Sequence, residues 1–437
     1  MSNLELGLLA FPCLLAMIFL RAPIGLAMLL VGVAGMWAVT GSPNIILSKF
    51  KTETFSTFAS HSLSIVPIFL LMGHLAGLGG MSQALFKAAE AWLGHRKGGT
   101  AMAAVGACAG FGSICGSSVA TAATMAQVAL PELRRAGYSG GLSVATLAAG
   151  GTLGILIPPS VVLVIYATLT ETNIAKLFLA AFVPGILAAL GYMLVIALYV
   201  RIHPDSAGSL PRLPYRARFA ALRKVWPVAL IFVAVVGGIY TGIFNPTEGA
   251  SVGALGTGLI AWTAGGLDWP RLKAALLATA SGTAMIFLIV LGAGFFNAFL
   301  ALTQMPQIVS QWIVGQGFGP WFVLVCILLI YLLLGCIMDS LSMILLTIPI
   351  FFPVMLALDF GMSPDLMAIW FGILVLIVVE VGMITPPVGM NLFVIHAIDR
   401  STPMRDTYRA VMYFVLTDLA RVVLLVAFPA ITLFLVR

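Results

Sequence analysis

Residues 150–166, GGTLGILIPPSVVLVIY, and residues 380–395, EVGMITPPVGMNLFVI, each interrupt a long apolar run with glycines and a Pro-Pro pair. Proline withholds an N–H and frees carbonyls further up a helix. Within a bilayer, irregular backbone of this kind is tolerated only where it is buried in protein or lines a cavity. Two broken segments at corresponding places in two halves of a membrane chain point to a solute site between the halves.

The composition supplies the membrane. Of 437 residues, 61% are hydrophobic and 8% charged, with mean hydropathy +1.12. Apolar runs of about 20 residues, the length of a membrane-crossing helix, recur throughout. They predict spans near 4–20, 24–40, 56–80, 142–170, 176–200, 225–244, 247–264, 275–302, 366–397 and 408–436. No polar stretch is long enough to form a soluble domain. The net charge of +7 reads as loop anchoring on the cytoplasmic side, not as a nucleic-acid surface. The five cysteines lie inside apolar runs and form neither a metal-ligand nor a disulfide pattern.

Residues 99–131 and 319–358 are apolar but broken at their centres by GSICGSS (112–118) and GCIMDSLS (335–342). Each arm is shorter than a full span, which predicts re-entrant hairpins that dip to the midplane and return. The charges support this. The linker 201–224 carries six Arg or Lys residues, and with both hairpins re-entrant 17 of the 22 basic residues fall on its side. That side is then cytoplasmic and both termini are periplasmic. The hairpin centres, Gly112 and Gly335, are 223 residues apart, and so are Pro23 and Pro246, each opening a span. The expected fold is an all-α polytopic membrane protein, an inverted repeat of two halves, each with a re-entrant helical hairpin and a broken transmembrane helix. Residues 1–200 form the first repeat (hairpin 99–131, broken helix 142–170). Residues 201–224 form the basic linker, and 225–437 the second repeat (hairpin 319–358, broken helix 366–397).

A re-entrant tip brings two helix ends to mid-membrane. Bare carbonyls there suit a cation, and bare N–H groups suit an anion. Hydroxyl and carbonyl oxygens are hard ligands that favour Na⁺ over a transition metal. The expected cation ligands are Ser113, Gly116, Gly151, Thr152 and Gly154 in the first half, with Gly335, Asp339, Gly382 and Thr385 in the second. The expected solute contacts are Ser117, Ser118, Pro158 and Pro159, with Ser340, Ser342, Pro386, Pro387 and Asn391. Small residues also serve close helix packing; what favours ligation is the recurrence of these clusters at matched offsets. Glu380 begins a break and reads as a cap or a paired group. Glu248 reads as a helix cap, and Asp418 with Arg421 as a structural ion pair. No phosphate loop, HExxH or GxSxG motif occurs, which argues against ATP hydrolysis and against an enzyme.

GSICGSSVATAA (112–123), GGTLGILIPPSVVLVIYA (150–167), NPTEGASVGAL (245–255), MDSLSMILLTIPIFFPV (338–354) and EVGMITPPVGMNLFVI (380–395) occur in this order along the chain. Together they resemble the large membrane (M) subunit of tripartite ATP-independent periplasmic (TRAP) transporters, within the wider ion-transporter superfamily with paired hairpins. The resemblance implies an elevator-type, Na⁺-coupled importer of small organic acids such as C4-dicarboxylates, sugar acids or sialic acid. It also implies a small (Q-type) membrane subunit as a separate chain, a periplasmic substrate-binding (P-type) protein, no cofactor beyond Na⁺, and a bacterial or archaeal cytoplasmic membrane. The alternatives are a self-sufficient Na⁺/dicarboxylate-type symporter, an ion channel filtered by the hairpins, and a lipid-directed membrane enzyme.

Overall fold

The computed structural model describes residues 2–436. Its α-helices run in chain order: α1 Asn3–Phe19, α2 Ile24–Thr40, α3 Pro43–Phe58, α4 Ile65–Leu78, α5 Met81–Leu93, α6 Gly99–Cys115, α7 Ser118–Arg135, α8 Gly140–Leu156, α9 Val161–Thr170, α10 Ile174–Ile202 and α11 Tyr215–Arg223. The second half follows as α12 Trp226–Phe232, α13 Gly238–Tyr240, α14 Pro246–Thr263, α15 Trp269–Thr303, α16 Met305–Gly315, α17 Pro320–Gly335, α18 Ser340–Leu356, α19 Pro364–Gly382, α20 Met390–Ile398, α21 Met404–Ala427 and α22 Pro429–Leu433.

The two halves match element by element. Helices α2, α5, α6, α7, α8, α9 and α10 correspond to α14, α16, α17, α18, α19, α20 and α21. One difference stands out. The expected span 56–80 covers α4 but only the end of α3, a helix otherwise outside every expected span; α3 and α4 are bent by 53° at residues 59–61, whereas their counterpart α15 is one helix of 35 residues. Polar Ser60, His61 and Ser62 interrupt the apolar run there and divide the helix. The short helices α5 and α16 have no counterpart among the expected spans, because neither is long enough to cross.

The repeats interleave. Helix α2 packs along α15 and α4 along α14, while α7 lies against α20 and α18 against α9. Each of these four contacts joins one repeat to the other. Glycine makes the closest approach possible: a Cβ on Gly25 would lie 2.8 Å from the Ile289 backbone nitrogen, and one on Gly32 2.7 Å from the Phe295 carbonyl carbon. In lipid, such close van der Waals packing replaces the hydrophobic drive that folds soluble proteins. Helix α8, GGLSVATLAAGGTLGIL, is buried from Gly141 to Leu156 because its small side chains let α6, α7, α10 and α21 all approach it.

Both ends of the first hairpin open on the linker side. Gly94, before α6, accepts a hydrogen bond from the Leu210 N–H, and Ser139, after α7, donates to Ser206, each at 2.9 Å. The linker is pinned to α5 by Arg218, 4% exposed, whose guanidinium lies 5.8 Å from the Trp92 ring centroid. The second hairpin opens elsewhere: its first arm brings Trp321 against Phe360, past the end of α18, and against Trp370 in the second turn of α19. The Glu248 carboxylate accepts from the Asn245 N–H at 2.9 Å, the helix cap expected at α14.

On the linker side, Arg134 at the end of α7 pairs with Asp399 at the end of α20. Ser401 and Thr402 donate to the same carboxylate at 2.7 and 2.9 Å. Burial pushes the Asp399 carboxyl up, but the Ser401, Arg134 and Thr402 bonds outweigh it and bring it from 3.8 down to about 2. A carboxyl lowered in the folded state stabilises above its ordinary value and loses that contribution as pH falls through the folded one. The expected result is that the wild type's advantage over Asp399→Asn in thermal unfolding is constant above about pH 5. It should then close as pH drops from 3.8 to about 2; a gap independent of pH would contradict the pairing.

Candidate functional site: two hairpin tips on two broken spans

The first tip is built by a helix stop and a helix start. Helix α6 ends where Gly116 takes a left-handed backbone, φ 65°, and its N–H returns to the Gly112 carbonyl at 2.9 Å. Ser117 is extended, and its hydroxyl accepts the Ala120 N–H at 3.4 Å, capping α7. In the second tip α17 ends at Gly335, and Asp339 caps α18. Its carboxylate accepts from the Ser342 N–H at 3.1 Å and from the Ser342 hydroxyl at 2.5 Å.

Each tip rests on the broken span of its own repeat. In the first, α8 and α9 meet at a 44° bend around Pro158-Pro159. In the second, α19 and α20 are separated by residues 383–389, which include Pro386-Pro387. Both prolyl pairs are joined by cis peptide bonds. The arms cross at glycine pairs. A Cβ on Gly112 would meet the Gly154 Cα at 2.5 Å, and a Cβ on Gly382 would meet the Gly335 Cα at 2.6 Å. A prolyl carbonyl accompanies each crossing: the Pro159 oxygen lies 3.1 Å from where a Gly116 Cβ would sit, and the Pro386 oxygen 3.8 Å from the Cys336 sulfur.

The residues expected at the sites divide accordingly. Gly116, Ser117, Pro158 and Pro159 are gathered at the first tip, and Gly335, Gly382 and Pro386 at the second. Gly154 packs so closely that a Cβ on it would lie 2.8 Å from the Ser117 carbonyl oxygen, and Gly151 lies against Ala122. Ser113 donates to the Gly110 carbonyl at 2.8 Å, and Thr385 to the Val381 carbonyl at 2.6 Å. Thr152 is turned away from the tip: its hydroxyl bonds Ala149 at 2.6 Å and lies 3.0 Å from the Tyr192 hydroxyl. Pro387 is exposed, and its carbonyl accepts from Tyr408 at 2.8 Å. Asn391 is fully buried and crosses to the other repeat, donating to Ala148 at 3.4 Å. Ser118 and Ser340, the first residues of α7 and α18, are both buried beside the Glu380 carboxyl.

A cavity of about 590 Å³ reaches the first tip between α4, α7 and α15. Cys115, Ser117, Thr124 and Gln127 line one wall, with His74 and Arg271 across from them. A larger cavity, about 940 Å³, lies at the linker side near Arg134, His203 and Arg409, away from both tips. The oxygen-rich tips suit a hard monovalent cation. The start of α7 beside the first cavity suits an anion.

Sequence reasoning missed two arrangements. Tyr192 donates to Asp418 at 2.7 Å, and Asp418 pairs with Arg421 at 2.8 Å, so a polar chain runs from Thr152 of α8 through α10 to α21. The ion pair was legible from spacing; its partners, more than 200 residues away in sequence, were not. The second is the place of Glu380 next to both tips, for which only its isolation in an apolar helix is a signal.

The family described as "Tripartite ATP-independent periplasmic transporter, DctM component" matches residues 11–431. The C4-dicarboxylate TRAP transporter large permease protein DctM of Pseudomonas aeruginosa is 36% identical over 393 residues, 90% of each chain. The sialic acid TRAP transporter large permease protein SiaM of Vibrio cholerae is 30% identical, covering 96% of each. Among solved structures, the YdaH transporter of Alcanivorax borkumensis shares the fold, with TM-score 0.61, 15% identity and 89% of each chain covered.

Proposed function

Because this chain belongs to the family of DctM components of tripartite ATP-independent periplasmic transporters, we propose that it carries a small organic anion across the cytoplasmic membrane by sodium-coupled import. It works with a small membrane subunit and a periplasmic binding protein that delivers the solute. The observation that carries this reading is the doubled tip: each re-entrant hairpin crosses its own broken span at a glycine pair, with a prolyl carbonyl alongside. Two such oxygen-lined points in opposite repeats give two cation positions flanking one solute cleft. C4-dicarboxylates and sialic acid, named for the relatives, share a carboxylate, which the N-terminal end of α7 is suited to meet.

The packing also supports an elevator movement. Helices α2, α4, α14 and α15 form one interleaved group, while the hairpins, broken spans, α10 and α21 form another. The groups meet where α4 touches α6 and α15 touches α18, and the short helices α5 and α16 join them at matched positions. Sliding of one group past the other moves both tips together.

The test is uptake of labelled succinate and of labelled sialic acid into proteoliposomes holding this chain, the small subunit and the binding protein. One of the two solutes should accumulate when Na⁺ is higher outside, and accumulation should fall to background when choline replaces Na⁺. Accumulation that persists without Na⁺ would overturn the coupling. Accumulation by this chain alone would overturn the need for partners.

A further inference from the structure

Glu380 is the one carboxyl near the tips that the transport reading leaves without a task. It sits on α19 and is 1% exposed, and neither carboxyl oxygen has a hydrogen-bond partner. A buried acceptor left unpaired is costly, so its neighbours matter. They are Ser118 and Ser340, which open the outgoing arms of the two hairpins and belong to opposite repeats. The Ser118 hydroxyl is turned to the Met383 sulfur at 3.7 Å, a weak acceptor. Rotating it to the carboxyl exchanges a poor bond for a strong one. The facing charged group from α21 is Asp418, held by Arg421. Helix α19 has no other acid beyond Asp365 in its first turn.

We propose that Glu380 is a positioning residue that couples the two hairpin tips, its carboxyl serving as the shared acceptor for the Ser118 and Ser340 hydroxyls. A change at one tip then alters the bond available to the other. This deepens the transport reading, on which its consequence for coupled uptake rests: the two cation positions respond to each other through one side chain.

The experiment needs no solute. Hydrogen–deuterium exchange is followed at residues 113–121 and 336–343 in the full-length protein in lipid nanodiscs. Ser118→Ala should change exchange at 336–343, in the opposite repeat, by about threefold, within the range of coupling between residues that share a partner. In a Glu380→Leu background the same substitution should leave 336–343 unmoved. Glu380→Gln, which keeps a side-chain acceptor, should restore part of the transmission. Should Glu380→Leu fail to fold, Ser118→Ala alone still decides. Unchanged exchange at 336–343, or a change spread evenly over the chain, overturns the proposal. So does an equal change with Glu380→Leu present. Loss of the Na⁺ requirement in proteoliposomes would sink the transport reading and leave this measurement standing.

Discussion

Replacing Arg421 by leucine is expected to cost about 3–5 kcal/mol of folding stability, because it strands Asp418 as an unpaired buried charge. The pair is closed at 2.8 Å, with side chains 6% and 1% exposed, so water cannot take over the lost contact. Asp418 would keep only the Tyr192 hydroxyl, at 2.7 Å. The unfolding midpoint in detergent measures the loss. Replacing both residues by leucine should recover most of it, since a buried pair exchanged for apolar groups is often near neutral. The double variant should nonetheless leave the Tyr192 and Thr152 hydroxyls without their anchor on α21. A single Arg421→Leu variant as stable as the wild type would mean that the polar chain joining α8, α10 and α21 is not closed.

A single added methyl group at the second tip is expected to reverse the usual effect of its kind. Alanine in place of a helical glycine ordinarily gains up to about 1 kcal/mol of helix propensity. At Gly77 of α4 nothing lies within 4 Å of the new Cβ, so Gly77→Ala should be neutral or stabilising. At Gly382 the new Cβ would lie 2.6 Å from the Gly335 Cα and 3.1 Å from the Cys336 nitrogen. Both are backbone atoms and cannot rotate aside. Overpacking of this kind costs about 1–3 kcal/mol. The functional loss should be larger, because the same clash displaces the second tip from the broken span it rests on. Gly154→Ala, 2.8 Å from the Ser117 carbonyl oxygen, should behave alike at the first tip. Thermal unfolding and uptake of the three variants side by side check this; Gly382→Ala matching Gly77→Ala in both would refute the crossing.

What the sequence made legible was the punctuation of apolar runs. Gly112, Gly335 and the two prolyl pairs mark tips and breaks because nothing else interrupts a membrane helix so sharply. The charge asymmetry added the sense of the first hairpin, whose two ends do meet the basic linker. Helices α5 and α16 escaped because length in apolar residues was the criterion and they are too short. Helix α3 escaped because Lys49, Lys51 and Glu53 make its sequence read as a polar connection, and only its end falls within the expected span 56–80. At the sites, spacing brought the right segments together but could not aim side chains. Asp339 turns its carboxylate into the α18 cap, Thr152 faces Tyr192, and Asn391 reaches Ala148 in the other half. Contacts across the repeats depend on how the halves interleave, which no local pattern records.

That interleaving makes the chain indivisible. Gly25 and Gly32 need the backbone of α15, and α7 needs α20, so each half lacks the surfaces that complete it. Read along the polypeptide there are two similar units; in space there is one mutual embrace, and a fragment ending at the linker would present grooves with nothing to fill them.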